Sequence, residues 1–552
     1  MRHFAIALTG ATMTFLAACF SPDVEEDYPA AEEEAAVADW RETGVCYEIF
    51  VRSFYDSDGD GVGDLEGLIQ KLDYVNDGDP RGGNDLGANC IWLMPVAESP
   101  SYHGYDVTDY YTIDPEYGTN DDFRRFTDAA HERGIRVLVD MVINHTSDQH
   151  PIFQESMRDP NSEYRDWFRW SPAPGPDNEY GDNNWRQAPE GEGYYYGFFS
   201  PRMPDLDWAN PAVREEMKKA STYWLDDMGA DGLRLDAVRH LMEDDEGRST
   251  NVPRTHEMLG EYGEYVRQAH PGSFTVGEVF DGGEALLAYY PDQLDSYFAF
   301  GISDAILDAV RSGSAEGLLE AVLLMQEAVP NDRYSPFLRN HDQSRTLTVL
   351  EGDVERAKLA ASLLLTLPGV PFVYYGEELG MAGDKPDPRI RTPMPWTPGA
   401  AGGFTTGNPW EPLQADSSTA NVEVLAGEAS SILNHYRELI RLRSACPVLG
   451  ANAELVPVET SSAAVVAYVR EQPDGFALVV ANLGDEPLEG VTLAGRTSVL
   501  PMASGYMPRL VLGDQPPTAL LRVDENGGFE NFSPLETLEP LRAYVLALSA
   551  CR

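Results

Sequence analysis

Carboxylates, imidazoles and one guanidinium gather at the ends of apolar runs in this chain. Asp140, Asn144 and His145 follow one run, Arg234 and Asp236 sit on the next, Glu278 ends another, and His341 and Asp342 close a fourth. Arg234 and Asp236 are two apart in an extended run, so their side chains leave the same face and the guanidinium can hold the carboxylate ionised at neutral pH, which suits a nucleophile. Glu278 ends an apolar stretch containing Phe274 and Val276. Desolvation and nearby like charge should raise its pKa, as a general acid requires. Two carboxylates tuned in opposite directions are the pattern of glycoside hydrolysis. A lone acid at a strand end is ordinarily a cap or a surface ion pair, but that does not explain so many groups converging.

For these residues to meet, their runs must surround a common axis. Runs rich in β-branched and aromatic residues recur at 45–51, 90–95, 135–142, 232–236, 273–278, 296–300, 335–339 and 370–375, alternating with helical patterns such as 121–133, 211–228, 260–269 and 355–367. They predict an α/β fold, a (β/α)8 TIM barrel over 40–145 and 208–452, with chemistry at the carboxyl ends of its strands. Residues 146–207 are too many for a structureless loop in a compact domain, and predict a small inserted domain B after the third strand. That stretch holds Tyr164, Trp167, Phe168, Trp170, Trp185, Tyr194, Tyr195, Tyr196, Phe198 and Phe199. Such rings can stack on sugars, although at least half are expected to pack the insert's own core. Over 453–552 the helices stop, and runs such as 464–469 and 476–481 predict a C-terminal antiparallel β-sandwich.

The segments Asp140-Met-Val-Ile-Asn-His145, Gly232-Leu-Arg-Leu-Asp-Ala-Val-Arg-His240, Gly277-Glu278-Val279 and Phe337-Leu-Arg-Asn-His-Asp342 resemble, in order and spacing, the four motifs of the α-amylase family of glycoside hydrolases, family 13. The resemblance covers residues 44–550 and implies a retaining α-amylase cleaving α-1,4 bonds of starch or maltodextrins. It implies Asp236 as nucleophile, Glu278 as acid/base and Asp342 as the third carboxylate. His145, Arg234 and His341 would hold the sugar under attack, Tyr105 and Asp106 would stack on and hydrogen-bond it, and Arg239 with His240 would meet the leaving-group side. His103 reads as structural. Ala237, smaller than the valine common in α-1,6-cleaving relatives, points to α-1,4 bonds. An exo-acting α-glucosidase or transglycosylase on maltooligosaccharides is the alternative if Asp106 pairs with an arginine such as Arg391 and blocks the sugar's non-reducing end. An alternative of another class is a non-catalytic glucan-binding lipoprotein, against which the three intact carboxylates stand. Met203-Pro-Asp-Leu-Asp207 resembles a fifth motif, with Asp207 where asparagine is usual.

Asp56, Asp58, Asp60 and Asp64, with the carbonyl of Val62, fill positions 1, 3, 5, 9 and 7 of a calcium-loop pattern, but Gly67 occupies position 12, so a full EF-hand is excluded. Hard oxygen ligands favour a structural Ca2+, and relatives with a similar loop hold one there. A second calcium through Asn144 and the His240 carbonyl, found in part of the family, is not expected.

Residues 1–19, with Arg2, an apolar stretch and the ending Leu16-Ala17-Ala18-Cys19, read as a lipoprotein signal peptide with Cys19 lipidated, and 20–39 as an acidic linker. The expected protein is an extracytoplasmic monomer, lipid-anchored at an outer membrane or cell surface. Cys46, Cys90, Cys446 and Cys551 allow three pairings; Cys46 with Cys90 and Cys446 with Cys551 is preferred, and four free thiols are the alternative. With 40 Lys+Arg against 91 Asp+Glu, a net charge of −51, no nucleic acid would be bound. Only five basic residues are lysines, a balance that fits a surface working in high salt or an arginine-biased composition; since a neutral sugar polymer needs no charge to attract it, the salt-adapted surface is the preferred reading.

Overall fold

A computed structural model describes residues 39–552, apart from 81, 474, 497–499, 501–504, 550 and 552. The expectations for the signal peptide, Cys19 and the linker lie outside the described residues, save Asp39. Eight parallel strands form the central sheet: β1 (Cys46–Ile49), β2 (Cys90–Leu93), β3 (Arg136–Met141), β4 (Gly232–Leu235), β5 (Phe274–Gly277), β6 (Ser296–Phe298), β7 (Tyr334–Ser335) and β8 (Phe372–Tyr374). Their order is β7-β6-β5-β4-β3-β2-β1-β8. Two backbone bonds close the ring between its ends, Val370 N–H to Tyr334 O at 3.0 Å and Phe372 N–H to Pro336 O at 2.9 Å. Pro336 has no N–H to return a bond, which is why β7 is shorter than the 335–339 run predicts.

The helices between strands begin where local chemistry permits. Thr119 and Asp122 form a capping box for Asn120–Glu132, Asn210 caps Pro211–Thr222 with proline at its first position, and Asp353 caps Val354–Thr366. Strand alternation sends one set of side chains to the helices and the other inward. Cys46, Cys90, Trp92, Leu138, Phe274, Val276, Phe298 and Phe372 fill the interior as one buried cluster. A disulfide joins Cys46 to Cys90, directly paired residues of β1 and β2.

Within 146–207 a helix (Pro151–Arg158) accompanies a three-stranded antiparallel sheet of Trp170–Ser171, Tyr194–Tyr196 and Trp185–Gln187. Beyond the barrel, a five-stranded antiparallel sheet carries Val465, Ala467 and Val469 on one face, packed with Leu493, Phe529 and Phe532 of a three-stranded sheet. Its other face, with Val466, Tyr468 and Val479, joins the barrel core, so the three middle strands are buried on both sides. A second disulfide ties Cys446, after helix Ile432–Ala445, to Cys551.

Candidate active site

Alternation continues past the apolar interior and places ionisable groups on the inward face at the carboxyl ends of the strands. Arg234 is the first hub. It is fully buried, its Nη1 lies 2.8 Å from Asp140 Oδ1 and 2.7 Å from Asp236 Oδ1, and its Nη2 lies 2.9 Å from Glu278 Oε2. Three carboxylates therefore share one cation. Burial pushes each of them up, while Arg234 pulls each down. Asp140 is raised to about 7. Glu278 is raised as the sequence predicts, with Asp236 and Asp342 adding to the effect of burial. For Asp236 the predicted pairing with Arg234 is made, yet its carboxyl still sits above the ordinary value, because burial outweighs a guanidinium divided three ways.

His341 is the second hub. Its Nδ1 lies 2.5 Å from Glu48 Oε1, and its Nε2 lies 2.6 Å from Tyr105 Oη and 3.3 Å from Asp342 Oδ2. Burial works against its charge, but Asp342 and Glu48 lift the imidazole to about 10. Burial would likewise raise Asp342, yet His341 and Arg391, whose Nη2 is 2.8 Å from Asp342 Oδ1, hold it well below the carboxylate range. The opposed tuning of two acids thus falls on Asp342 and Glu278 more clearly than on Asp236 and Glu278. Tyr105 joins the hubs: its hydroxyl donates to Asp140 Oδ2 at 3.0 Å, and its ring stacks on His341.

Ala237 turns the chain with a left-handed φ of 50°, and its N–H points at Glu278 Oε2, 3.3 Å away. A larger β-branched residue would suffer more in that conformation. Asp236, Glu278 and Asp342 all open onto one cavity of about 600 Å³.

Of the residues predicted to hold sugar, Tyr105, His145, Arg239 and His240 line this cavity; Asp106, Arg234 and His341 do not. Arg234 and His341 are engaged by the carboxylates behind it. Asp106 is 2% exposed, and its Oδ1 accepts from Ser99 Oγ at 2.8 Å and from Ser101 Oγ. Arg391 spends its donors on Asp342, Asp387 and the His341 carbonyl, so the Asp106–Arg391 pair weighed for an exo-acting enzyme is not formed. His103 Nδ1 accepts the Tyr105 N–H at 3.1 Å, a structural role that leaves part of its ring on the cavity. Burial drives His145 down to about 4 and His240 down to about 3, so both are neutral near pH 7. His240 stacks on Phe198, and Arg239 is pinned to Phe280 O at 2.7 Å and Asp281 Oδ2 at 2.9 Å. Among the insert's aromatics, Phe168, Trp170 and Tyr195 pack round Phe153, whereas Phe198 and Phe199 face the cavity.

Sequence reasoning missed Glu48. A single acid inside the apolar run Cys46-Tyr-Glu-Ile-Phe50 was the available signal, since an unpaired carboxylate is not tolerated in a strand buried on both faces.

In the 56–64 loop, Asp56, Asp58 and Asp64 each offer a carboxylate oxygen within 4.8 Å of the others. Asp60 is not in that group; its Oδ1 accepts the Val62 N–H at 2.8 Å. Three hard oxygens, one of them from the buried Asp56, fit a calcium ion. A Cβ on Gly67 would sit 2.0 Å from Tyr55 O, so no glutamate can occupy the twelfth position.

A parallel eight-stranded barrel with three carboxylates round one cavity at its strand ends is the arrangement of a glycosidase. Comparison with known proteins makes it particular. The family described as alpha amylase, catalytic domain, matches residues 48–451, and the chain belongs to that family. It is 40% identical to Alpha-amylase 3 of Dictyoglomus thermophilum over 80% of this chain and 85% of that protein. It is 34% identical to the trehalose synthase/amylase TreS of Mycolicibacterium smegmatis over 89% of this chain and 92% of that one. The crystal structure of the alpha-amylase from H. orenii superimposes with a TM-score of 0.79 at 39% identity, covering 92% of this chain and 99% of that one.

Proposed function

We propose that the protein is an endo-acting, retaining hydrolase of α-1,4-glucans such as starch and maltodextrins. Asp236 attacks the anomeric carbon while Glu278, protonated, gives its proton to the departing glycosidic oxygen; the C–O bond breaks and a glycosyl ester forms on Asp236. Glu278, now a carboxylate, takes a proton from water, which attacks the same carbon and frees Asp236. Asp342, held ionised, accepts hydrogen bonds from the hydroxyls of the sugar.

The observation that carries this reading is that one guanidinium contacts both Asp236 and Glu278. Nucleophile and acid/base therefore stand against one cation on the wall of one cavity, the arrangement a double displacement uses. The capture of Arg391 by Asp342 and Asp387 favours endo action, because the non-reducing end meets no Asp106–Arg391 clamp. Likeness to a trehalose synthase/amylase keeps transglycosylation as the second reading.

Maltoheptaose should yield mixed oligomers whose newly formed ends are α by NMR. Glucose alone would mean exo action, a disaccharide isomer would favour the second reading, and β ends would overturn retention. A structural calcium on Asp56, Asp58 and Asp64 belongs to the same proposal. Chelation should lower the thermal midpoint and added calcium restore it, and an unmoved midpoint would remove the ion from the account.

A further inference from the structure

A second hollow, of about 540 Å³, lies between the insert and the barrel. Its walls come from segments 98–100 and 108–111 of the barrel side, 146, 149–152, 167–168 and Leu206 of the insert, and Glu216 and Met217 of helix Pro211–Thr222. It is nearly as large as the active cavity, at about 600 Å³, has no described lining residue in common with it, and comes nearest in sequence at Thr146, which follows the cavity-lining His145.

The lining has three kinds of surface. Trp167, Tyr110 and Phe168 are aromatic, and Glu98, Asp109 and Glu216 bring carboxylates, of which Glu98 is unpaired among the described residues while Asp109 already accepts from Tyr111 N–H and Thr112 Oγ1 and Glu216 from Tyr111 Oη and Lys219. The third is His150, only 8% exposed. Its Nδ1 accepts the Ile152 N–H at 3.2 Å, which leaves the ring proton on Nε2, and among the described residues no acceptor meets that nitrogen. Burial pushes His150 down to about 4, so near pH 7 it is a neutral, fixed donor.

This chemistry narrows the occupant. Among the described residues no lysine or arginine lines the hollow, and the Lys219 beside Glu216 is already paired with it, so an anion would meet three carboxylates. A metal ion would need them together, yet among the described residues only Asp56, Asp58 and Asp64 approach one another closely enough. A purely apolar molecule would leave the His150 donor unpaired at a cost. What fits is a neutral polyol with an apolar ring face, hydroxyls that donate to carboxylates, and an oxygen that accepts from His150. We infer that the hollow is a second carbohydrate site, taking one or two glucose units of a short α-glucan such as maltose. The choice of glucan rests on the function proposed above.

The test uses the full chain carrying Glu278→Gln, so that maltose survives. Crystals soaked in maltose should show sugar in both hollows, with glycerol soaks as the control. Sugar in the active cavity alone would overturn this inference and leave the proposed function standing. Sugar in neither would overturn both, and glycerol held as firmly as maltose would mean an adventitious polyol only. In solution, Glu98→Ala, which removes a side chain with no bond to the fold, and His150→Ala should each weaken the second binding event by about fivefold or more. Glu98→Ala in the otherwise native enzyme should leave maltoheptaose cleavage unchanged. Unaltered second-site affinity in Glu98→Ala would sink the proposal even if His150→Ala, which also loses a helix cap, failed to fold.

Discussion

The lower and upper halves of the barrel interior are built by the same strands, on the same inward face, and obey different physics. On β1 the inward residue changes from Cys46 to Glu48, on β3 from Leu138 to Asp140, and at the end of β5 from Val276 to Glu278. Each change takes one step of two residues. Below it, stability scales with apolar area removed from water and tolerates any filling of the right volume. Above it, three carboxylates lean on one guanidinium, and the arrangement holds a proton that a free carboxyl would release. The floor keeps the ring rigid, which lets the mouth hold an arrangement that repels itself.

Three substitutions would break or sharpen that contrast. Asp236→Asn should lower kcat by about 10⁴-fold while leaving the thermal midpoint unchanged or slightly higher, since it removes one of the anions competing for Arg234. Near-normal turnover would end the assignment of Asp236. Glu48→Gln should reduce kcat roughly tenfold at pH 7 and move its alkaline limb to lower pH, because His341 loses a partner that lifts it to about 10. The stability from His341 is fully present below about 6.5 and lost as pH rises through about 10 in the native protein, so the same variant should lose that stability at lower pH. A pH profile identical to the native one would show Glu48 to be mere packing. Leu138→Ala, two residues below Asp140, should cost about 2–5 kcal/mol in urea unfolding and change kcat by less than about threefold. A large loss of kcat there would mean that floor and mouth are not separable.

Much of this was legible in the sequence because alternation and strand-end chemistry are local. The barrel, the insert and Asp236, Glu278 and Asp342 follow from runs and from what ends them, and the family resemblance gave the same residues. What stayed hidden depends on partners distant in the chain. Glu48 meets His341 across 293 positions, and Arg391 reaches Asp342 across 49. Asp106 has the residue type for sugar binding but is captured by Ser99 and Ser101, and nothing in its spacing signals that these hydroxyls turn inward. The weakness of Arg234 as a tuner of Asp236 was invisible for a related reason: the motif places the pair, but only the closed ring brings Asp140 and Glu278 onto the same guanidinium.

The bridge from Cys446 to Cys551 makes the outer sheets part of a covalent ring whose joined residues are 105 positions apart. Exposed turns such as that at Glu525 and Asn526 are where a protease would enter. A single cut there opens the ring without freeing a piece, so the strands that cover the barrel helices stay tethered at both sides of the nick. Damage of this kind would be silent on a gel until a reductant was added, and a protein working among proteases could carry it without losing its shape.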